Sequence, residues 1–206
     1  MARRRGRLRG TSGRAAVLTA AQVRQVFHIA RARGRHAARA EAALAMSVGL
    51  GLRAKELSGL RWCDVYEAEG RVRRVVHLKA AYTKGGRTRD VFVSSPSLRR
   101  VLEKYGEGRW LLSAGASAAP LFASQKGGAM TACSMARFLK ALYAEAGIAG
   151  ASSHSGRRTL ITRLAERGVD LKAIAQIAGH TSIRTTAMYV EANPTRLARI
   201  LQDVTF

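Results

Sequence analysis

The chain has 206 residues, with 36 Lys+Arg against 13 Asp+Glu, and so carries a formal charge of +23 with its histidines neutral. A hydrophobic share of 47% excludes a wholly disordered basic protein, and the length suits a single domain. No run reaches about eighteen apolar residues, and the opening MARRRGRLRGTSGR leads into no continuous apolar stretch, so neither membrane insertion nor secretion is indicated. Cys63 and Cys133 set no disulfide framework and read as small core residues. A charge this one-sided works against the compact state unless something offsets it, which points to a cytoplasmic protein acting on a polyanion.

In chain order, residues 1–16 form a basic arm containing Arg3, Arg4, Arg5, Arg7, Arg9 and Arg14, and no acidic residue precedes Glu41. The arm suits either contact with a nucleic-acid backbone or plain solvation. Thr19 is placed to cap a helix carrying Val23, Val26, Phe27 and Ala30 at the spacing of a buried stripe, and Gly34 interrupts it. An alanine-rich helix over 36–48 stops at Gly49-Leu50-Gly51, after which Arg53 opens a short helical segment ending near Leu57. From Arg71 to Val93, two β-prone runs flank a Thr83-Lys84-Gly85-Gly86 turn, which predicts a hairpin with Lys84 at its tip. Ser95-Pro96 starts a helix to about Tyr105, and 106–128 reads mostly as linker, with glycines and Pro120 around the short apolar pair Leu121-Phe122. Helices follow at about 131–146, 156–167, 170–178, 182–190 and 194–201, so the fold class is mainly α with a small antiparallel hairpin (α+β).

In SHSGRRTLITRLAERG, Arg157 shares a helical face with Leu160, Ile161 and Leu164, the edge of an otherwise buried stripe. Arginine cannot neutralise itself, so it persists there if it is paired, for example with Glu166, or if the site receives an anion. His154 lies three residues earlier and could flank the same ligand. In GHTSIRTTAMYV, His180 follows a glycine that ends a helix, and Tyr189 comes nine residues later, so the two meet only if a turn lies between them. Taken singly, His180 suits a capping role and Tyr189 an ordinary aromatic one.

Four separated blocks, GLGLRAKELSGL with Arg53, the hairpin Lys84, HSGR with His154 and Arg157, and GHTSIRTTAMY with His180 and Tyr189, resemble in order and spacing the tyrosine recombinases, or phage-type integrases, over residues 17–201. The resemblance implies that Arg53, Lys84, His154, Arg157, His180 and Tyr189 are the catalytic set, Tyr189 being the nucleophile. Glu56 resembles the acidic residue that supports the first arginine, and Arg158 stands where many relatives carry another histidine. It further implies a catalytic domain over 17–206, double-stranded DNA as substrate, and self-association in a synaptic complex that is tetrameric on DNA. An accessory DNA-bending protein and a nucleoid-associated location fit the same picture, with no cofactor, no metal and no membrane. Similar recombinases usually carry a separate helical DNA-binding domain ahead of the catalytic one, and the residues before 17 are too few for it. The expectation is a short recombinase or a catalytic fragment.

These residue types suit phosphodiester chemistry. Two planar guanidinium forks, Arg53 and Arg157, can hold the nonbridging oxygens whose charge grows in the transition state. The Tyr189 phenol, with an ordinary pKa of about 10, needs help in losing its proton, and His154 is the candidate for that. Lys84 could protonate the departing 5′-hydroxyl, while His180 would donate a hydrogen bond to a nonbridging oxygen. Lys126, Arg137, Lys140 and Arg158 are candidates for contacts to the DNA backbone. Competing readings are a non-catalytic DNA-binding regulator on the same scaffold and a type IB topoisomerase-like relaxase.

Overall fold

In the structure of the chain, a computed structural model that describes residues 15–83, 86–107 and 118–188, Thr19 caps helix α1 (Ala20–Arg31). Its hydroxyl accepts the Gln22 amide at 3.1 Å, and the Gln22 side chain accepts the Thr19 amide at 2.9 Å, closing a capping box. Gly34 interrupts the helical run with a 3-10 turn, Gly34–His36, before α2 (Ala37–Gly49). Next come α3 (Ala54–Gly59) and α4 (Trp62–Val65). The periodicity does not signal α4, a single turn started by Asp64, whose carboxylate accepts the Arg61 amide at 2.9 Å.

Strands β1 (Val75–Leu78) and β2 (Arg89–Phe92) pair antiparallel, Val75 opposite Phe92 and Leu78 opposite Arg89. They are shorter than the β-prone runs, and the centre of the turn expected at 83–86 lies outside the described residues. Beside it, the Thr83 hydroxyl lies 3.1 Å from the Ala80 carbonyl and 2.6 Å from the Arg87 carbonyl and shares its proton between them. Then follow α5 (Pro96–Gly106), α6 (Ala132–Glu145), α7 (Ser155–Glu166), α8 (Leu171–Ala178) and α9 (Ile183–Ala187). The end of the helix expected at 182–190, and the one at 194–201, lie outside the described residues.

Every residue of α2 from Ala40 to Val48 is buried. Its alanines take little space, so α1, α3, α5 and α7 all pack against it. The large apolar cluster built on this hub takes in residues of α1 to α6 and both strands. A second, small cluster of Ile161, Ala165, Ile174 and Ala178, with Leu164 and Val169 alongside, joins α7 to α8. Burial there is worth only on the order of 5 kcal/mol before the entropy of ordering the segment. The polar ties that hold α8 therefore matter.

Three sequence expectations are corrected. Cys133 is exposed on the outer face of α6 and Cys63 is half-buried, so neither is a fully packed core residue. The described part of the supposed linker contributes to the core through buried Leu121 and Phe122, and the Leu121 amide donates to Leu60 at 2.8 Å. Residues 15 and 16, assigned to the arm, are bonded into the body: the Ala16 amide donates to the Gly150 carbonyl at 3.1 Å, and Arg158 donates to the Ala15 carbonyl at 2.8 Å. Among the described residues, no helix is long and apolar enough to cross a membrane.

Candidate active site

Helix α8 ends at Gly179, which turns left-handed at φ 62° and ψ 50°. The Gly179 and His180 amides fold back onto the Gln176 and Ala175 carbonyls at 3.0 and 2.9 Å. The following carbonyls point past the helix end, and each is met by an arginine from a different element. Arg89, at the start of β2, donates from Nη1 to Ile177 at 2.9 Å. Arg157, in α7, donates from Nη2 to Ala178, and Arg53 donates from Nη2 to Gly179 at 3.4 Å. Three cations thus gather at the negative end of a helix dipole, which offsets part of their mutual repulsion.

Arg53 is the N-cap residue of α3, with Glu56 at the third helical position. The Glu56 carboxylate is fully buried and accepts three bonds: from the Arg53 amide at 2.7 Å, Arg53 Nη1 at 2.8 Å and Arg89 Nη2 at 2.9 Å. Burial by itself would raise the Glu56 pKa. Arg89, the Arg53 amide and the Arg53 guanidinium together outweigh burial and hold it below the usual carboxylate range, so the group is an anion between two cations.

Arg157 is 4% exposed and also donates from Nη1 to the Gly51 carbonyl at 2.9 Å. Gly51 makes the left-handed turn between α2 and α3 at φ 64°. One residue before Arg157, Gly156 packs so tightly on α2 that an added Cβ would lie 2.5 Å from Ser47 Oγ and 2.9 Å from the Ser47 carbonyl carbon. This close approach brings the Arg157 side chain within reach of both Gly51 and Ala178. The sequence left Glu166 open as its partner; that residue is exposed at the far end of α7, and the arginine's hydrogen bonds to Gly51 and Ala178 go to main-chain carbonyls.

His180 sits directly after the helix end, with Nδ1 2.8 Å from the hydroxyl of buried Thr186 in α9. Burial, then the charges of Arg157, Arg53 and Arg89, push its pKa down to about 4, so the ring is neutral at neutral pH. A pocket of about 110 Å³ opens among these groups, lined in part by Arg53, Glu56, Thr83, Arg87, Arg89 and His180.

The structure therefore brings Arg53, Glu56, Arg157 and His180 together. His154 is the exposed N-cap residue of α7, its amide donating to Ser152 Oγ at 3.2 Å, and it does not line the pocket. Lys84 and Tyr189 lie outside the described residues; their described neighbours are Thr83, on the pocket wall, and Met188, after α9. Arg137 and Lys140 are exposed one turn apart on α6, and Lys126 is exposed in the turn closed by Ser124 and Gly128. Arg158 is half-buried and committed to the Ala15 carbonyl. Among the described residues, no group of three or more His, Cys, Asp or Glu side chains is placed to hold a metal ion. Sequence reasoning missed Arg89 and Thr186. Arg89 is one cation among many in a β-prone run, and its partner Glu56 lies 33 residues away in the chain.

A sequence profile described as the Phage integrase family matches residues 16–196. Tyrosine recombinase XerC of Pelobacter propionicus is 34% identical over 151 residues, covering 73% of this chain and 46% of that protein. The chain spans about half the length of the curated relatives it matches. The crystal structure of XerA recombinase superposes with a TM-score of 0.72 at 22% identity, over 93% of this chain and 66% of that one. A post-cleavage complex of XerH site-specific recombinase bound to a palindromic difH substrate superposes at 0.68 and 19% identity, over 91% and 52%. These neighbours share the mainly α fold with its small antiparallel hairpin.

Proposed function

The chain belongs to the Phage integrase family, the tyrosine recombinases, and from that premise we propose that it is a site-specific recombinase that cleaves and rejoins double-stranded DNA in integration, excision or inversion. The observation that carries this reading is the convergence of Arg53 and Arg157 on consecutive carbonyls beside His180, with Arg53 and His180 lining a small basic pocket. Arg53 spends one N–H on Glu56 and one on Gly179, and its fork keeps donors for a phosphate oxygen. A neutral His180 whose Nδ1 accepts the Thr186 hydroxyl would carry its proton on Nε2, ready to donate to the same phosphate.

In the proposed reaction, the Tyr189 oxygen attacks phosphorus, the bond to the 5′ oxygen breaks, and a 3′-phosphotyrosyl link forms. His154 assists loss of the phenolic proton, and Lys84 supplies the proton that leaves with the 5′-hydroxyl. A 5′-hydroxyl from another strand then attacks the link, the phenol regains its proton, and the phosphodiester is restored. The catalytic domain begins near residue 17 behind the basic arm. Lys126, Arg137 and Lys140 contact the DNA backbone, and copies of the chain assemble as a tetramer across the synapse. The bound difH substrate of the XerH neighbour and the charge of +23 both support DNA as the ligand.

Trapping the protein covalently on DNA in cells and sequencing the attached DNA tests this reading and identifies the target. Wild type is expected to give a detergent-resistant adduct at a defined sequence, and Tyr189→Phe none. Specific binding without adduct would favour a non-catalytic regulator, and sequence-independent relaxation of plasmid a topoisomerase-like enzyme.

A further inference from the structure

Arg89 has no place in the residue set above, yet it is deeply tied into the pocket wall. Its guanidinium spans two elements, donating from Nη2 to Glu56 in α3 and from Nη1 to the Ile177 carbonyl at the end of α8, both at 2.9 Å. Its side chain is only 11% exposed, and Nε is buried with no hydrogen-bond partner among the described residues. The fold makes room for it: a Cβ on Gly179 would lie 2.4 Å from Arg89 Cδ, so this left-handed position cannot carry a side chain while the arginine passes. Arg53 joins the same two elements, but its contact with Gly179 is long, at 3.4 Å. The apolar cluster behind α8 is small and joins it to α7, not to α3.

We infer that Arg89 is a positioning residue of the cleavage site: by gripping Glu56 and the Ile177 carbonyl at once, it sets the spacing between α3, which carries Arg53, and the α8 terminus, which leads into His180. Arg89 bears the connection to the α8 terminus, and Arg53, held by Glu56 but only at 3.4 Å from the Gly179 carbonyl, keeps Nη2 able to turn toward a phosphate. The inference rests on the cleavage reading above. A lysine, with one compact ammonium, retains the charge but cannot span both partners with a planar fork.

The test uses the full chain and a nicked suicide duplex bearing the sequence recovered by covalent trapping. Arg89→Ala and Arg89→Lys should each slow adduct formation at saturating DNA by about tenfold or more, with DNA affinity changed less than about threefold, because misplacing a transition-state contact costs rate more than binding. If Arg89 acts through Glu56, adding Arg89→Ala to Glu56→Gln should cost little beyond the single change. Losses that simply multiply, or an Arg89→Lys variant as fast as wild type, would overturn the inference.

A wild type that forms no adduct would defeat the cleavage reading, and Arg89 is then tested without DNA. In NMR titration of labelled histidines, the His180 midpoint should rise from about 4 in Arg89→Lys, which keeps the positive charge but not the two-element grip, and an unmoved midpoint would overturn the bracing role. Should Arg89→Ala fail to fold, Arg89→Lys carries the rate comparisons as well.

Discussion

The neutral ring of His180 has a consequence for stability. Its pKa is about 4 in the folded chain against an ordinary 6.5, so between those values the unfolded chain takes up a proton that the folded ring refuses. Stability contributed by the neutral ring is complete above about pH 6.5 and declines as pH falls toward 4. After allowance for solvent screening of the half-buried ring, wild type should lose about 1–2 kcal/mol more than His180→Gln between pH 7 and pH 4. Urea titrations of the two proteins at several pH values measure this, and parallel curves would show that the ring is not held neutral. Glu56 declines in the same direction but lower on the scale, since its folded pKa lies below the ordinary 4.5, and it is common to both proteins. That Arg53, Arg157 and His180 belong together was legible from their sequence blocks. Their ordering around three successive carbonyls was not, because those acceptors are main-chain groups that any residue type supplies.

Among the elements, helix starts were readable wherever a side-chain cap marks them: Thr19, Ser95 and Thr131 each accept a backbone amide of the helix they open. Helix α4 was not readable, being a single turn held by the Asp64 carboxylate and by Trp62, which stacks on Tyr105 at 5.4 Å. The glycine of HSGR has a reason that only packing shows. In Gly156→Ala, the new Cβ must push α7 away from α2, because the contact includes the Ser47 main chain as well as its hydroxyl. We expect a loss of about 1–3 kcal/mol, the usual cost of overpacking, and slower cleavage as Arg157 moves with its helix. Adding Ser47→Ala should not restore either property, since the carbonyl carbon at 2.9 Å and oxygen at 3.0 Å remain. Thermal melts and adduct assays check both statements, and full recovery in the double variant would show that the hydroxyl alone sets the fit.

Over the whole molecule, six of the arginines precede the described body. The described body begins at residue 15, where Ala15, Ala16 and Leu18 are bonded to Arg158, Gly150 and Thr159. Removing residues 1–14, with their six arginines, should weaken DNA binding. The slope of log affinity against log salt should shrink by up to about 5, if the arm's arginines meet phosphates. An unchanged slope in a salt series of binding titrations would assign the arm to solvation. The small cluster joining α7 to α8 also means that the pocket's walls are held as much by ion pairs and carbonyl bonds as by apolar burial.

From the sequence alone came the family resemblance, the mainly α class with one hairpin, the basic character and the candidate residues, because caps, periodicity and motif spacing are local properties written along the chain. Tertiary structure decided that Arg157 is held by main-chain carbonyls, that Cys133 faces solvent, that Arg158 ties down the entry segment, and that Arg89 shares Glu56 with Arg53. Each of these depends on which distant segments meet. A side chain's partners in such contacts are fixed by packing across elements, and no local pattern records that.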